Sequence, residues 1–121
     1  MSGGELFCRC IILGRIHGIK HIDNGHCFSR AFKATRFEED NCRPQSRSSN
    51  RFSGEADHYK FIKNLKAEIG EKRFTVIEKL KDQECHDSET FYRLQYETYK
   101  HLFSELLTIR GWNDPWKNKK Y

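Results

Sequence analysis

No stretch of this sequence approaches the ~20 consecutive apolar residues needed to cross a bilayer. That excludes a spanning helix and leaves the expectation of a soluble protein. An export signal is missing too: Leu6, Phe7, Ile11, Ile12 and Leu13 are interrupted by Arg9, and no small-residue cleavage pattern follows them. The five cysteines, Cys8, Cys10, Cys27, Cys42 and Cys85, form an odd set. A reducing compartment, the cytoplasm or the nucleus, is expected.

Patterns that carry catalysis or hold cofactors are equally scarce. Gly14 to Gly18 lacks the Gly-x-x-x-x-Gly-Lys-Ser/Thr spacing that cradles phosphate, and Gly3-Gly4 follows no strand. Cys8-x-Cys10, His17-x-x-x-His21 and His26-Cys27 offer residue types that bind zinc. A two-Cys two-His finger wants about twelve residues between its ligand pairs, and only six separate Cys10 from His17. Cys10 with His17, His21 or His26 lacks a group that would orient the base and an oxyanion site. No metal, cofactor or catalytic residue is assigned, and the chain is not expected to be an enzyme by itself. His58, His86 and His101 sit among helical residues without partners at ligand spacing and are expected at the solvated surface.

What the chain does hold is charge and aromatic rings. Nine Phe, five Tyr and two Trp are enough to build a compact core, and the net charge is +5. Residues 1–54 carry nine Lys/Arg against five acids and residues 55–121 carry thirteen against twelve, so the basic excess is N-terminal. Arg30, Lys33, Arg36, Arg43, Arg47 and Arg51 form a candidate basic patch for RNA, a ribosome or another polyanion, through a salt-sensitive term.

Helical periodicity begins after a stretch from Asn41 to Ser53 that is rich in Arg, Ser and Asn and reads as a linker. Ser53 is a candidate cap, and Tyr59, Ile62, Leu65 and Ile69 recur at helical spacing until Gly70. Phe74, Ile77 and Leu80 repeat that spacing over Glu71 to Asp82. Asp87 or Ser88 starts a further helix that ends at Arg110, before Gly111 and Pro115, either unbroken or interrupted between Glu97 and Lys100. Tyr92, Tyr96, Tyr99 and Phe103 lie along one edge of it, an aromatic stripe suited to a core and also able to stack on bases. An all-α fold is expected: a small three- to four-helix bundle over residues 53–112, a basic, poorly ordered arm and linker over 1–52, and a tail over 113–121.

Ile69-Gly70, Lys72 and Phe74, then Ser88-Glu89-Thr90-Phe91-Tyr92, then Leu102-Phe103-Ser104-Glu105-Leu106-Leu107 resemble paired-amphipathic-helix and harmonin-N-like domains. Within that class they are most similar to the C-terminal domain of zinc-finger E3 ubiquitin ligases of collided-ribosome quality control. The loops between these blocks are shorter than in that family, and Arg110-Gly111-Trp112-Asn113-Asp114 replaces the Leu-Pro-Asp that follows its last block. The resemblance implies a non-catalytic module that clamps an amphipathic helix of a protein partner, without the RING and zinc fingers of such a ligase. Phe61, Leu65, Phe74, Ile77, Phe91, Leu102, Phe103 and Leu106 are the residues expected to line that groove or form the core beneath it.

Overall fold

A computed structural model describes residues 6–52 and 54–115. The candidate cap Ser53 and the last six residues of the expected tail lie outside the described residues. The expectation of an all-α bundle with a poorly ordered N-terminal arm is overturned, because the N-terminal half is built of two antiparallel two-stranded sheets and closes the core. In chain order the elements are β1 (Phe7–Arg9), β2 (Ile16–Gly18), β3 (Ile22–His26), β4 (Cys42–Ser46), α1 (Arg47–Arg51), α2 (Glu55–Leu80) and α3 (Glu89–Arg110). Single 3-10 turns precede β3 and β4, at Ile19–His21 and Glu39–Asn41.

The β1–β2 hairpin turns through Ile11 to Gly14. Gly14 takes a positive φ of 67°, which a side chain would strain. Its N–H bonds the Cys10 carbonyl at 2.9 Å, and the Cys10 N–H bonds Arg15 at 2.9 Å. The Ile11 N–H reaches the Pro44 carbonyl of β4 at 2.9 Å, which joins the hairpin to the second sheet. There β3 runs against β4 from Ile22 opposite Ser46 to His26 opposite Cys42.

Residues 27–41, which join β3 to β4, are held by a buried amide. Asn41 accepts the Phe28 N–H at 2.8 Å and donates to the Phe28 and Thr35 carbonyls at 3.0 Å each. Loop backbone that would otherwise be unpaired in the interior is satisfied by this one side chain. The Ser46 hydroxyl then caps α1 by accepting the Ser49 N–H at 3.2 Å.

Helix α2 carries the stripe that this layer covers. Phe61, Leu65, Ile69, Phe74 and Ile77 are buried in one cluster with Cys10, Ile11, Ile12 and Cys27. The helical run is kinked at Gly70, whose φ of 85° and ψ of 163° are not helical. The glycine that stops the first sequence repeat thus re-aims the second, so that Phe74 meets Phe28 with ring centroids 5.8 Å apart. Asn64 ties α2 to the hairpin by donating to the Ile11 carbonyl at 2.6 Å, and Arg43 pairs with Glu68 at 2.6 Å.

Helix α3 is one unbroken helix of 22 residues. Ser88 caps it by accepting the Phe91 N–H at 3.1 Å, and Gly111 closes it in the left-handed conformation. It shares no extensive face with α2 and packs instead on the loop before β4. The helix pairs of a bundle therefore do not form: the apolar stripe of α2 is already covered by the N-terminal half.

Truncating Leu65, which is fully buried, to alanine is expected to cost about 2–5 kcal/mol, read as a lowered urea midpoint. A fragment starting at residue 54 exposes the same stripe and is expected to lose cooperative unfolding by circular dichroism. A cooperative transition in that fragment would contradict a core shared between the two halves.

Candidate functional site

The face between β3, α1 and the 27–41 loop is concave and polar. It encloses a cavity of about 870 Å³ lined by Asp23, His26, Arg30, Arg36 and Arg51, together with Asn24, Ser29 and Asn50. The sheet positions these groups. Asp23 and His26 come from β3, Asn50 and Arg51 come from α1 directly after β4, and Arg30 and Arg36 come from the connecting loop. Three guanidinium groups face one carboxylate, so the cavity carries surplus positive charge.

Two of its three guanidinium groups, those of Arg36 and Arg51, are held in place. The Asp23 carboxylate receives hydrogen bonds from Asn50 at 3.1 Å and Arg51 at 3.3 Å, and Arg47 lies 3.8 Å from it. Arg36 donates to the Arg30 carbonyl and to the Tyr92 hydroxyl, each at 2.8 Å. Tyr92 in turn donates to Asp87 at 2.9 Å, and Lys33 pairs with Asp87 at 2.8 Å. That pairing holds the Asp87 carboxyl below its ordinary range, through the Lys33 and Tyr92 hydrogen bonds.

His26 sits half-buried with Nε2 3.0 Å from the Arg36 carbonyl oxygen, which only accepts, so Nε2 carries the proton. Burial, and then the neighbouring Arg30 and Arg36 charges, push its pKa below the ordinary 6.5, against the pull of the Arg36 carbonyl. At neutral pH the imidazole is uncharged.

A second cavity of about 720 Å³ adjoins the first and shares Asn24, Arg36, Phe37 and Tyr92 with it. The rest of its wall is the aromatic edge of α3, Tyr96, Tyr99 and Phe103, together with Glu39, Cys42, Gln95, Lys100 and Asp114. Phe37 is the hub, 6.0 Å from both the Phe91 and the Tyr92 rings. Tyr99 is pinned by its hydroxyl, which donates to the Phe37 carbonyl at 3.1 Å.

The residues expected to line a groove or form a core divide sharply. Phe61, Leu65, Phe74 and Ile77 are core. Phe91 and Phe103 are half-buried, on the loop side of α3. Leu102 and Leu106 remain 46% and 39% exposed, on the stretch of α3 beyond that loop. Of the candidate basic patch, Arg30, Arg36 and Arg51 meet in the polar cavity. Lys33, Arg43 and Arg47 are ion-paired with Asp87, Glu68 and Asp23.

The cysteines and histidines of the start are dispersed: Cys8 and His17 face each other across the hairpin, His21 lies in a 3-10 turn and Cys27 is core. Burial, with Glu78 nearby, pushes the Cys27 thiol up to about 11. Cys10 shifts the other way: burial opposes its thiolate, but backbone N–H groups of Leu13, Ser46 and Ile12 outweigh it. Among the described residues no three His, Cys, Asp or Glu side chains converge as metal ligands, and no helix is long and apolar enough to cross a membrane. Asn24, Ser29 and Asn50 carried no sequence signal, since each depends on the β3–β4 pairing. No family model, curated protein or solved structure matches this chain.

The His26 shift has a sign. A histidine whose folded pKa is depressed binds fewer protons folded than unfolded. Its contribution to stability is complete above the unfolded value of 6.5 and is lost as pH falls through that value toward the folded one. The urea midpoint is expected to drop between about pH 7.5 and 5.5, and to drop less in a His26→Asn variant. An equal drop in both would remove His26 as the cause.

Proposed function

We propose that this protein binds the phosphate backbone of a nucleic acid through the cavity between β3, α1 and the loop before β4. The observation that carries this reading is the convergence of Arg30 and Arg36, from the loop before β4, with Arg51, from α1, on one concave polar surface with a single carboxylate. Guanidinium forks suit phosphate oxygens, and Asn24, Ser29 and Asn50 add neutral donors beside them. The pinned Arg36 needs little reordering on binding. The five free thiols fit a reducing compartment, the cytoplasm or the nucleus.

A protein partner keeps one specific support. Leu102, Leu106 and Ile109, the last 80% exposed, extend the apolar face of α3 past the loop that covers its first half. Two of the three segments that carry the likeness to ubiquitin-ligase tail domains, Ser88–Tyr92 and Leu102–Leu107, lie along this helix or its cap, and the first, Ile69 to Phe74, lies in α2. The reading this supports is an amphipathic helix seated along α3 rather than between two helices.

The two readings separate experimentally. Fluorescence anisotropy with a labelled oligonucleotide is expected to show binding that weakens with salt. Arg30→Gln with Arg51→Gln is expected to lower the affinity and flatten the salt slope by about two contacts' worth. Binding that ignores both salt and these substitutions would sink the phosphate reading. For the protein reading, Leu102→Glu with Leu106→Glu in the full chain is expected to abolish capture of a specific partner from cell extract while leaving oligonucleotide affinity intact. Unchanged capture would sink it.

A further inference from the structure

The apolar cavity on α3 is unusual in what adjoins it. Its aromatic members, Tyr92, Tyr96, Tyr99 and Phe103, fall on one stripe at successive helical turns, where neighbouring side chains start about 5–6 Å apart. Phe37 lines it from the loop before β4. Tyr96 is 52% exposed and Tyr99 is 38% exposed, so both side chains are accessible to a ligand from solvent. Tyr99 is held by its bond to the Phe37 carbonyl, and the Lys100 ammonium lies 5.6 Å from the Tyr96 ring centroid. Glu39 and Asp114 also line the cavity and are offset there by Arg36 and Lys100.

Arg36 belongs to both cavities. A ligand spanning them meets accessible aromatic side chains on one side of this guanidinium and, on the other, Arg30 and Arg51 against the single carboxylate Asp23. Flat aromatic rings linked to phosphates have that pattern. In a duplex the base faces are buried against one another, and only an unpaired strand offers them to side-chain rings. We infer that the cavity of Tyr96, Tyr99 and Phe103 receives the bases of a single-stranded nucleic acid by stacking while Arg30, Arg36 and Arg51 hold its phosphates. This inference rests on the phosphate reading above and adds to it the state of the strand.

The test measures anisotropy of the full-length chain with a labelled oligothymidylate of about twelve nucleotides, and with the same strand annealed to its complement. The probes are compared for the unaltered protein, for Tyr96→Ala and for Tyr96→Trp. Position 96 is a solvent-facing helical site, where alanine is well tolerated. The single strand is expected to bind more tightly than the duplex. Tyr96→Ala is expected to weaken the single strand about tenfold and to leave the duplex within about twofold. Tyr96→Trp is expected to restore single-strand binding, and its added indole emission is expected to be quenched by the bound strand.

Single-strand binding that survives Tyr96→Ala while Arg30→Gln with Arg51→Gln weakens both probes would overturn the stacking site and leave the phosphate site standing. A duplex bound as tightly as the single strand, or hit equally by Tyr96→Ala, would overturn it as well. Absence of binding to either probe would remove both.

Discussion

Everything else in this structure depends on how the apolar stripe of α2 is covered. Phe61, Leu65 and Ile69 recur along one face of a helical run that Gly70 divides into two shorter pieces, each marginal alone in water. They are buried by Cys10, Ile11, Ile12 and Cys27, from a hairpin turn and a strand end. Covering the stripe from the N-terminal side excludes a second helix from it. Helix α3 is thereby left to find another surface, which is the loop before β4.

That loop stands firm enough to serve because of Asn41. One buried amide meets the backbone of Phe28 and Thr35 from inside, where an unpaired group would cost about 1–3 kcal/mol. With the loop braced, Phe37 stands against Phe91 and Tyr92, Arg36 is bonded to Tyr92, and Lys33 to Asp87. The same few residues thus dock α3 and form the wall between the two cavities. The candidate site is a by-product of how the last helix is attached.

The charge pattern acquires meaning only on this frame. Along the chain, six basic residues between Arg30 and Arg51 look equivalent. In the fold, Lys33 and Arg43 are ion-paired with acids that brace one segment against another, Arg47 and Arg51 share Asp23, and Arg51 meets Arg30 and Arg36 around one cavity. Asp23 illustrates the division: it is the single carboxylate of that cavity and also the anchor of α1, through Asn50 and Arg51. Its position leaves the cavity cationic while fixing Arg51 within it.

The two long helices were legible in the sequence because their signals are local; α1 was not, since Arg47–Arg51 falls within the Asn41–Ser53 stretch that reads as a linker. Apolar spacing from Tyr59 to Leu80, the stop at Gly70, the cap at Ser88 and the closing Gly111 each follow from backbone geometry within a few residues. The aromatic stripe of α3 was legible for the same reason. The strands were not. β3 reads Ile-Asp-Asn-Gly-His and β4 reads Cys-Arg-Pro-Gln-Ser, with a proline, a glycine and almost no alternation. Their pairing is supported by a hydrogen-bonded loop and by the helix packed above, which are contacts between residues far apart in the chain. The sequence by itself therefore determined where the two long helices begin, bend and end. Which face each helix buries, which arginines meet, and that a polar and an aromatic cavity share Arg36 were decided by tertiary structure, because burial and convergence depend on partners that local periodicity does not encode.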